Sequence, residues 1–191
     1  MKTPIIQSKE IMQRGKFLSL SRLMLAHPDG RVTPYEVVER NADKVFGIVT
    51  ILPITENGDI IMIRQYRPPL DTVGLEFPAG CAEVGKHATL EDAVHAELRE
   101  ETGYVAGRLT HIAEFSSSSG MTSETVHGYV AENCRRVSDV LILDESEYIE
   151  RVSISYTEFD QFILTEMARG AIIEPKMLAM MWAWRNMVAK K

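Results

Sequence analysis

Residues 89–104, TLEDAVHAELREETGY, carry the start signal, the stop signal and the chemistry of one helix. Thr89 followed by Asp92 reads as a capping box in its shorter-acid form, and Gly103 suits the left-handed residue that closes a helix, so the spacing predicts a helix over Leu90–Thr102. Ala93, Leu98 and their neighbours supply its apolar stripe. Glu97, Glu100 and Glu101 then share a face at i, i+3 and i, i+4 spacing. Like charges there cost an isolated helix about 0.2–0.5 kcal/mol per pair. Arg99 points elsewhere and cannot neutralise all three. Two readings follow: a solvated acidic face, or a site for a hard cation with oxygen ligands such as Mg²⁺ or Mn²⁺, which relieves the repulsion it exploits.

On either side of this helix, turn signals mark off short strands. His27-Pro28-Asp29-Gly30 separates FLSLSRLMLA from RVTPYEVVER, and Asn57-Gly58 separates FGIVTILPI from DIIMIRQY, so both pairs read as hairpins, the second through a type I′ turn. FGIVTILPI is nearly continuous in apolar residues and predicts a strand buried on both faces. LTHIAEFSS, ETVHGYVAENC and ERVSISY are further strands, and Ser116 to Ser119 form a loop. Two helices end the chain, one over 158–169 closed by Gly170 and one over 175–190 opened by Pro175. Strands interleaved with few helices and several hairpins give an α+β fold built on a mixed sheet rather than a doubly wound parallel one.

The chain has 191 residues, 45% hydrophobic and 25% charged, which is enough for one sizeable core and a small extra lobe. A net charge of −6 argues against nonspecific binding to nucleic acid or to an anionic membrane, since neither polyanion is drawn to the average surface. Cys81 and Cys134 are too few for a disulfide framework, and no apolar run near Met1 reads as a signal peptide or membrane span, so the expected compartment is the cytoplasm.

Residues 76–104, EFPAGCAEVGKHATLEDAVHAELREETGY, resemble the Nudix box, G-x5-E-x7-R-E-U-x-E-E-x-G-U with U apolar. Gly80 opens it, and Glu97-Leu98-Arg99-Glu100-Glu101-Thr102-Gly103-Tyr104 matches its second half apart from the aromatic last residue. Arg64-Gln65-Tyr66-Arg67-Pro68-Pro69 and Glu76-Phe77-Pro78-Ala79-Gly80 are similar to the segments that precede the box in the ADP-ribose pyrophosphatase branch. Three departures stand out. The first half of the box is two residues too long and contains an enlarged loop around 85–89, so that Lys86 or Ala88 falls where the family has a glutamate. Ala96 replaces the box arginine. Ser119 stands where ADP-ribose hydrolases typically have proline.

The resemblance implies a Nudix-type α/β/α sandwich over residues 43–191 with a small N-terminal β lobe over 1–42, and a homodimer in which that lobe completes the partner's pocket. It implies metal-dependent hydrolysis of a nucleoside diphosphate linked to X, with ADP-ribose or a nucleotide sugar as the substrate. A diphosphate linkage needs cations to offset its charge and a base to orient or deprotonate water. Glu97 and Glu101 are the first-choice ligands for Mg²⁺ or Mn²⁺, Glu100 shares a metal or supports them, and the resemblance adds the Ala79 carbonyl. The acidic run over 144–150 supplies the base, with Glu145 assigned as base and Glu147 as a further ligand. Arg64 and Arg67 are the expected substrate contacts, the alternative being surface ion pairs; Glu76 either binds metal indirectly or holds Arg64. Tyr35 and Phe46 are candidates to stack a base, with a core role open for Phe46. His127 reads as a packed or hydrogen-bonded residue. Trp182 and Trp184 with Met177, Met180 and Met181 read as a packed helix stripe. The loss of the box arginine and glutamate leaves a second functional class in view, a catalytically weak domain that binds a nucleotide as sensor or regulator.

Overall fold

The computed structural model describes residues 1–188. The first three strands, β1 (Ile5–Arg14), β2 (Leu18–Ala26) and β3 (Val32–Arg40), form a separate antiparallel sheet in the order β1-β2-β3. The main body follows: β4 (Val45–Thr55), β5 (Asp59–Arg67), β6 (Thr72–Glu76), β7 (Ala79–Glu83), α1 (Leu90–Thr102), β8 (Tyr104–Val105), β9 (Arg108–Ser116), β10 (Thr125–Arg136), β11 (Ile149–Ser155), α2 (Phe159–Ala168), β12 (Ile172–Ile173) and α3 (Pro175–Val188). The last two positions expected in the final helix, 189 and 190, lie outside the described residues.

Strand β4 organises the body. It runs parallel to β10 along one edge and antiparallel to β7 along the other, and its far end turns into β5, which pairs with β6 and β11. Residues Ile48 to Ile54 are all buried, as an apolar strand covered on both faces requires. Alternation divides them. Val49 and Ile51 pack with Ala93, Val94 and Leu98 of α1. Leu52 and Ile54 pack on the other side with Phe159 and Ile163 of α2 and with Met177, Met180 and Met181 of α3. Helices therefore cover both faces of a mixed sheet. The methionine stripe is buried as expected, and Trp184 stacks edge-on against Tyr156 with ring centroids 5.2 Å apart, but Trp182 faces outward with 69% of its surface exposed. Phe46 also lies outside the core, because it precedes the buried run of β4.

The ends of α1 match the sequence signals. The Thr89 hydroxyl accepts from the Asp92 amide at 3.1 Å, the Asp92 carboxylate accepts from the Thr89 amide at 2.9 Å, and Gly103 closes the helix at φ +74°. The Asn57-Gly58 turn differs from expectation. A type I′ turn needs positive φ at both residues; here only Gly58 has it, at +84°, and its amide donates to the Thr55 carbonyl at 3.0 Å. The link is a three-residue turn with glycine in the left-handed position, stabilised by the Thr55 hydroxyl accepting from the Asp59 amide at 2.9 Å. His27 to Gly30 closes the same way, with Gly30 at φ +86°.

The N-terminal sheet stands out from the body, and every residue of β1 is exposed. Asn41 ties its base together: the buried amide accepts from the Ser19 hydroxyl at 2.6 Å and donates to the Gly15 and Lys16 carbonyls. Strand β3 then docks against the loop over 117–124. The Val38 amide donates to the Met121 carbonyl at 2.9 Å, and Arg40 pairs with Glu124 at 2.6 Å.

Since α1 is held by one capped end and one apolar stripe, the two contributions separate experimentally. In urea unfolding, Leu98→Ala is expected to cost about 2–5 kcal/mol, because Leu98 is fully buried between α1 and β4. Thr89→Ala is expected to cost about 1 kcal/mol through loss of the cap alone. Equal costs would show that the stripe is not what anchors the helix.

Candidate active site

A cleft of about 680 Å³ opens where β4, β5 and β7 meet α1, the acidic segment before β11 and the start of α3. That volume lies within the range of small-molecule sites. Its floor is the Ala79-Gly80-Cys81 stretch of β7, held flat against Ile48, Val49 and Thr50 of β4.

Two of the three helix glutamates converge on this floor. Glu101 is buried to 1% exposure, and its carboxylate accepts from the Ala79 amide at 3.0 Å. Glu97 lines the cleft directly over Gly80, so close that a Cβ at Gly80 would fall inside the Glu97 carboxylate. Glycine here is a matter of space, not of backbone angle. Glu100 turns outward to Lys86, whose ammonium lies 3.4 Å away. Lys86 comes from the enlarged loop and thus brings a cation to the edge of a cluster whose box arginine is Ala96.

Lys86 and Arg67 offset the charge of this cluster only in part. Burial, followed by the charge of Glu100, pushes Glu97 up to about 7; Glu147 and Asp144 add to the effect. Burial and the proximity of Glu97 hold Glu101 well above the usual carboxylate range, opposed by the hydrogen bond from Ala79. Two carboxylates forced toward the protonated state beside a glycine floor and a backbone amide form a pocket of oxygen donors suited to a hard divalent cation. The chemistry of these donors fits Mg²⁺ or Mn²⁺ equally.

The remaining expected residues divide between the cleft and the outside. On β5, Gln65 and Arg67 face the cleft while Arg64 faces away, as strand alternation dictates. Arg64 pairs instead with Glu166 of α2 at 2.9 Å. Arg67 makes a two-point contact with buried Glu76 at 2.8 and 2.5 Å, so Glu76 holds Arg67 rather than Arg64. That contact raises the guanidinium's pKa further. In the acidic segment, Asp144 and Glu147 line the cleft; Glu145, the expected base, is not among the lining residues. The Asp144 amide donates to the Glu147 carboxylate at 2.9 Å and closes a bend, with Glu145 exposed beside it. Tyr35 lies apart from the cleft, its hydroxyl donating to the Gly120 carbonyl at 2.6 Å.

Four further groups in the cleft were not apparent from the sequence: Gln65, Arg40, Glu124 and Lys176. Gln65 was accessible to the same alternation that places Arg67. Arg40 and Glu124 meet only because the N-terminal sheet docks on the loop after β9, and no local pattern signals that. Gln65 is buried, and its side-chain oxygen has no hydrogen-bond donor among the described residues.

A family model for the NUDIX domain matches residues 46–179, and the chain belongs to the Nudix family. Within it, the chain is 35% identical over 148 residues to an ADP-ribose pyrophosphatase of Bacillus subtilis, covering 78% of this chain and 76% of that protein. It is 32% identical over 158 residues to a methanol dehydrogenase activator of Bacillus methanolicus, covering 83% and 81%. A crystal structure of an ADP compounds hydrolase superposes with a TM-score of 0.78 at 22% identity, over 100% of this chain and 96% of that one, which identifies the fold as the Nudix α/β/α sandwich.

The charge balance of the cluster has a sign that can be measured. The folded-state value of Glu97, about 7, lies above the ordinary 4.5, so its contribution to stability is complete below about pH 4.5 and is lost as pH rises through about 7. In EDTA, the melting temperature of the wild type is expected to fall from about pH 5.5 to about pH 8 relative to Glu97→Gln, and added Mg²⁺ is expected to close the gap at the higher pH. A difference between the two proteins that does not vary with pH contradicts this.

Proposed function

We propose that this chain hydrolyses a nucleoside diphosphate linked to X, with ADP-ribose or an ADP-sugar as the substrate, giving a nucleoside monophosphate and the phosphorylated X. The observation that carries this reading is the pair of buried Glu101 and half-buried Glu97, without an ion-pair partner among the described residues, over the Ala79-Gly80 floor. Glu97, Glu101 and the Ala79 carbonyl hold Mg²⁺ or Mn²⁺, with Glu100 at the rim. When bound, the cation offsets diphosphate charge and raises the acidity of water.

The protein's own groups do the rest. Arg67, fixed by its two-point contact with Glu76, presents a guanidinium whose orientation is set before substrate arrives, which favours a phosphate oxygen. A base is needed that is not itself tied to a cation. Glu147 and Asp144 line the cleft opposite α1, so we assign the base to Glu147 and a supporting role to Asp144, in place of Glu145. Gln65 offers an unpaired buried acceptor to a substrate hydroxyl. The similarity to an ADP-ribose pyrophosphatase supports the choice of substrate class.

The N-terminal lobe, residues 1–42, is proposed to form a homodimer interface. Its first strand exposes Ile5, Ile6, Ile11 and Met12, more apolar surface than a solitary strand needs. Among the described residues no helix is long and apolar enough to cross a membrane. The two cysteines, both free, suit the reducing cytoplasm proposed as its location.

A second reading, a nucleotide-binding regulator with little turnover, is favoured by Ala96 in place of the box arginine. One of the relatives is an activator protein. A single experiment separates the two. Phosphate release by a coupled phosphatase is measured with ADP-ribose, ADP-glucose, GDP-mannose and NADH in Mg²⁺ and in Mn²⁺, for the wild type, Glu101→Gln and Gly80→Ala. The hydrolase reading predicts turnover of one or two compounds, reduced at least about a hundredfold in both variants. No turnover, with nucleotide still raising the melting temperature, establishes the regulator reading instead.

A further inference from the structure

Behind the cleft, on the α1 face of the sheet, three side chains that the hydrolytic site does not use come together on β9 and β10. Glu114 stands directly across from His127, and His111 stands across from Tyr129. The spacing from His111 to Glu114 would put them on opposite faces of a regular strand. A register shift in β9, opposite the Gly128/Tyr129 step, reverses this. Ile112 and Phe115 pack into the core on the α2 and α3 side, and His111 and Glu114 are turned together to the other face.

The result is a compact donor set. The ligating atoms of His111, Glu114 and His127 all lie within 4.8 Å of one another, His127 Nδ1 is 3.6 Å from a Glu114 carboxylate oxygen, and the two imidazole rings are 5.9 Å apart. The ring of Tyr129, itself buried, sits edge-on to His111 at 5.1 Å and limits its orientation.

We propose that His111, Glu114 and His127 bind a divalent transition-metal ion of zinc type, at a site separate from the carboxylate cleft. Two imidazoles and one carboxylate are the donors that late first-row divalent metals such as Zn²⁺ prefer, whereas Mg²⁺ and Mn²⁺ favour an all-oxygen set. The two sites thus differ in donor chemistry. Three protein ligands on an open surface leave at least one coordination position for water. A bound ion links β9 to β10 across the shift that brings the ligands together.

The test uses the full chain and zinc alone. With millimolar Mg²⁺ present to occupy the cleft, Zn²⁺ binding is measured by competition with a chromophoric chelator for the wild type, His111→Ala, His127→Ala and the control His95→Ala. In the same Mg²⁺ buffer, ¹⁵N-resolved imidazole resonances of the wild type are followed through the titration. The proposal predicts one zinc equivalent, weakened at least about tenfold by each of the first two substitutions and unchanged by the control, with the His111 and His127 resonances shifting selectively. Unaltered affinity in His111→Ala and His127→Ala, or zinc-induced shifts at other histidines only, overturns it. The resonance measurement stands whether or not the variants fold, and neither readout depends on hydrolysis.

Discussion

The structure turns on one electrostatic constraint: two carboxylates of one helix, buried Glu101 and half-buried Glu97, are held close to one another where, among the described residues, neither has an ion-pair partner. A lone buried carboxylate is costly, and two in contact more so, unless a cation compensates. Everything that positions α1 enforces this arrangement. The capping box fixes where the helix begins, Gly103 fixes where it ends, and Ala93, Val94 and Leu98 fix its rotation against β4. With the rotation set, Glu97 faces Gly80 and Glu101 meets the Ala79 amide. The nearest basic groups sit at the margin: Lys86 contacts Glu100, and Arg67 is occupied by Glu76.

Strand pleating explains how the cleft combines opposite requirements. Along β4, alternate residues serve the α1 core and the opposite face, so Ile48 and Thr50 line the cleft on the same strand whose Val49 and Ile51 anchor the helix. Along β5, the same alternation sends Arg67 and Gln65 inward and Arg64 outward to α2. Arg64 therefore helps attach α2, and Arg67 is left as the guanidinium that a phosphate can reach. The donor set on β9 and β10 obeys the same rule with one step inserted, and there the irregularity places ligands together.

Much of this was legible in the sequence, and the limits are physical. The bounds of α1, both of its caps and the glutamate triad followed from spacing, because helix ends and i, i+4 neighbours are local properties. The doubly buried β4 followed from its unbroken apolar run. Three features did not follow. The type of the Asn57-Gly58 turn depends on how the flanking strands meet, and the chain uses Thr55 to stabilise a longer link. The placement of Glu145 outside the cleft depends on the bend closed by Glu147 on the Asp144 amide. The Arg40–Glu124 pair joins residues far apart in the chain, brought together only when the N-terminal sheet docks. Strand registers and docked lobes are long-range outcomes that no window of sequence encodes.

The central claim is that the α1 carboxylates exist to hold a divalent cation above the Ala79-Gly80 floor. Anomalous diffraction from crystals grown in Mn²⁺ tests it most directly. The account predicts an ordered manganese peak at coordination distance, ~2.1 Å, from carboxylate oxygens of both Glu97 and Glu101. A peak confined to other carboxylates, or an ordered cleft in which Glu97 and Glu101 bind no manganese at saturating concentration, would contradict it.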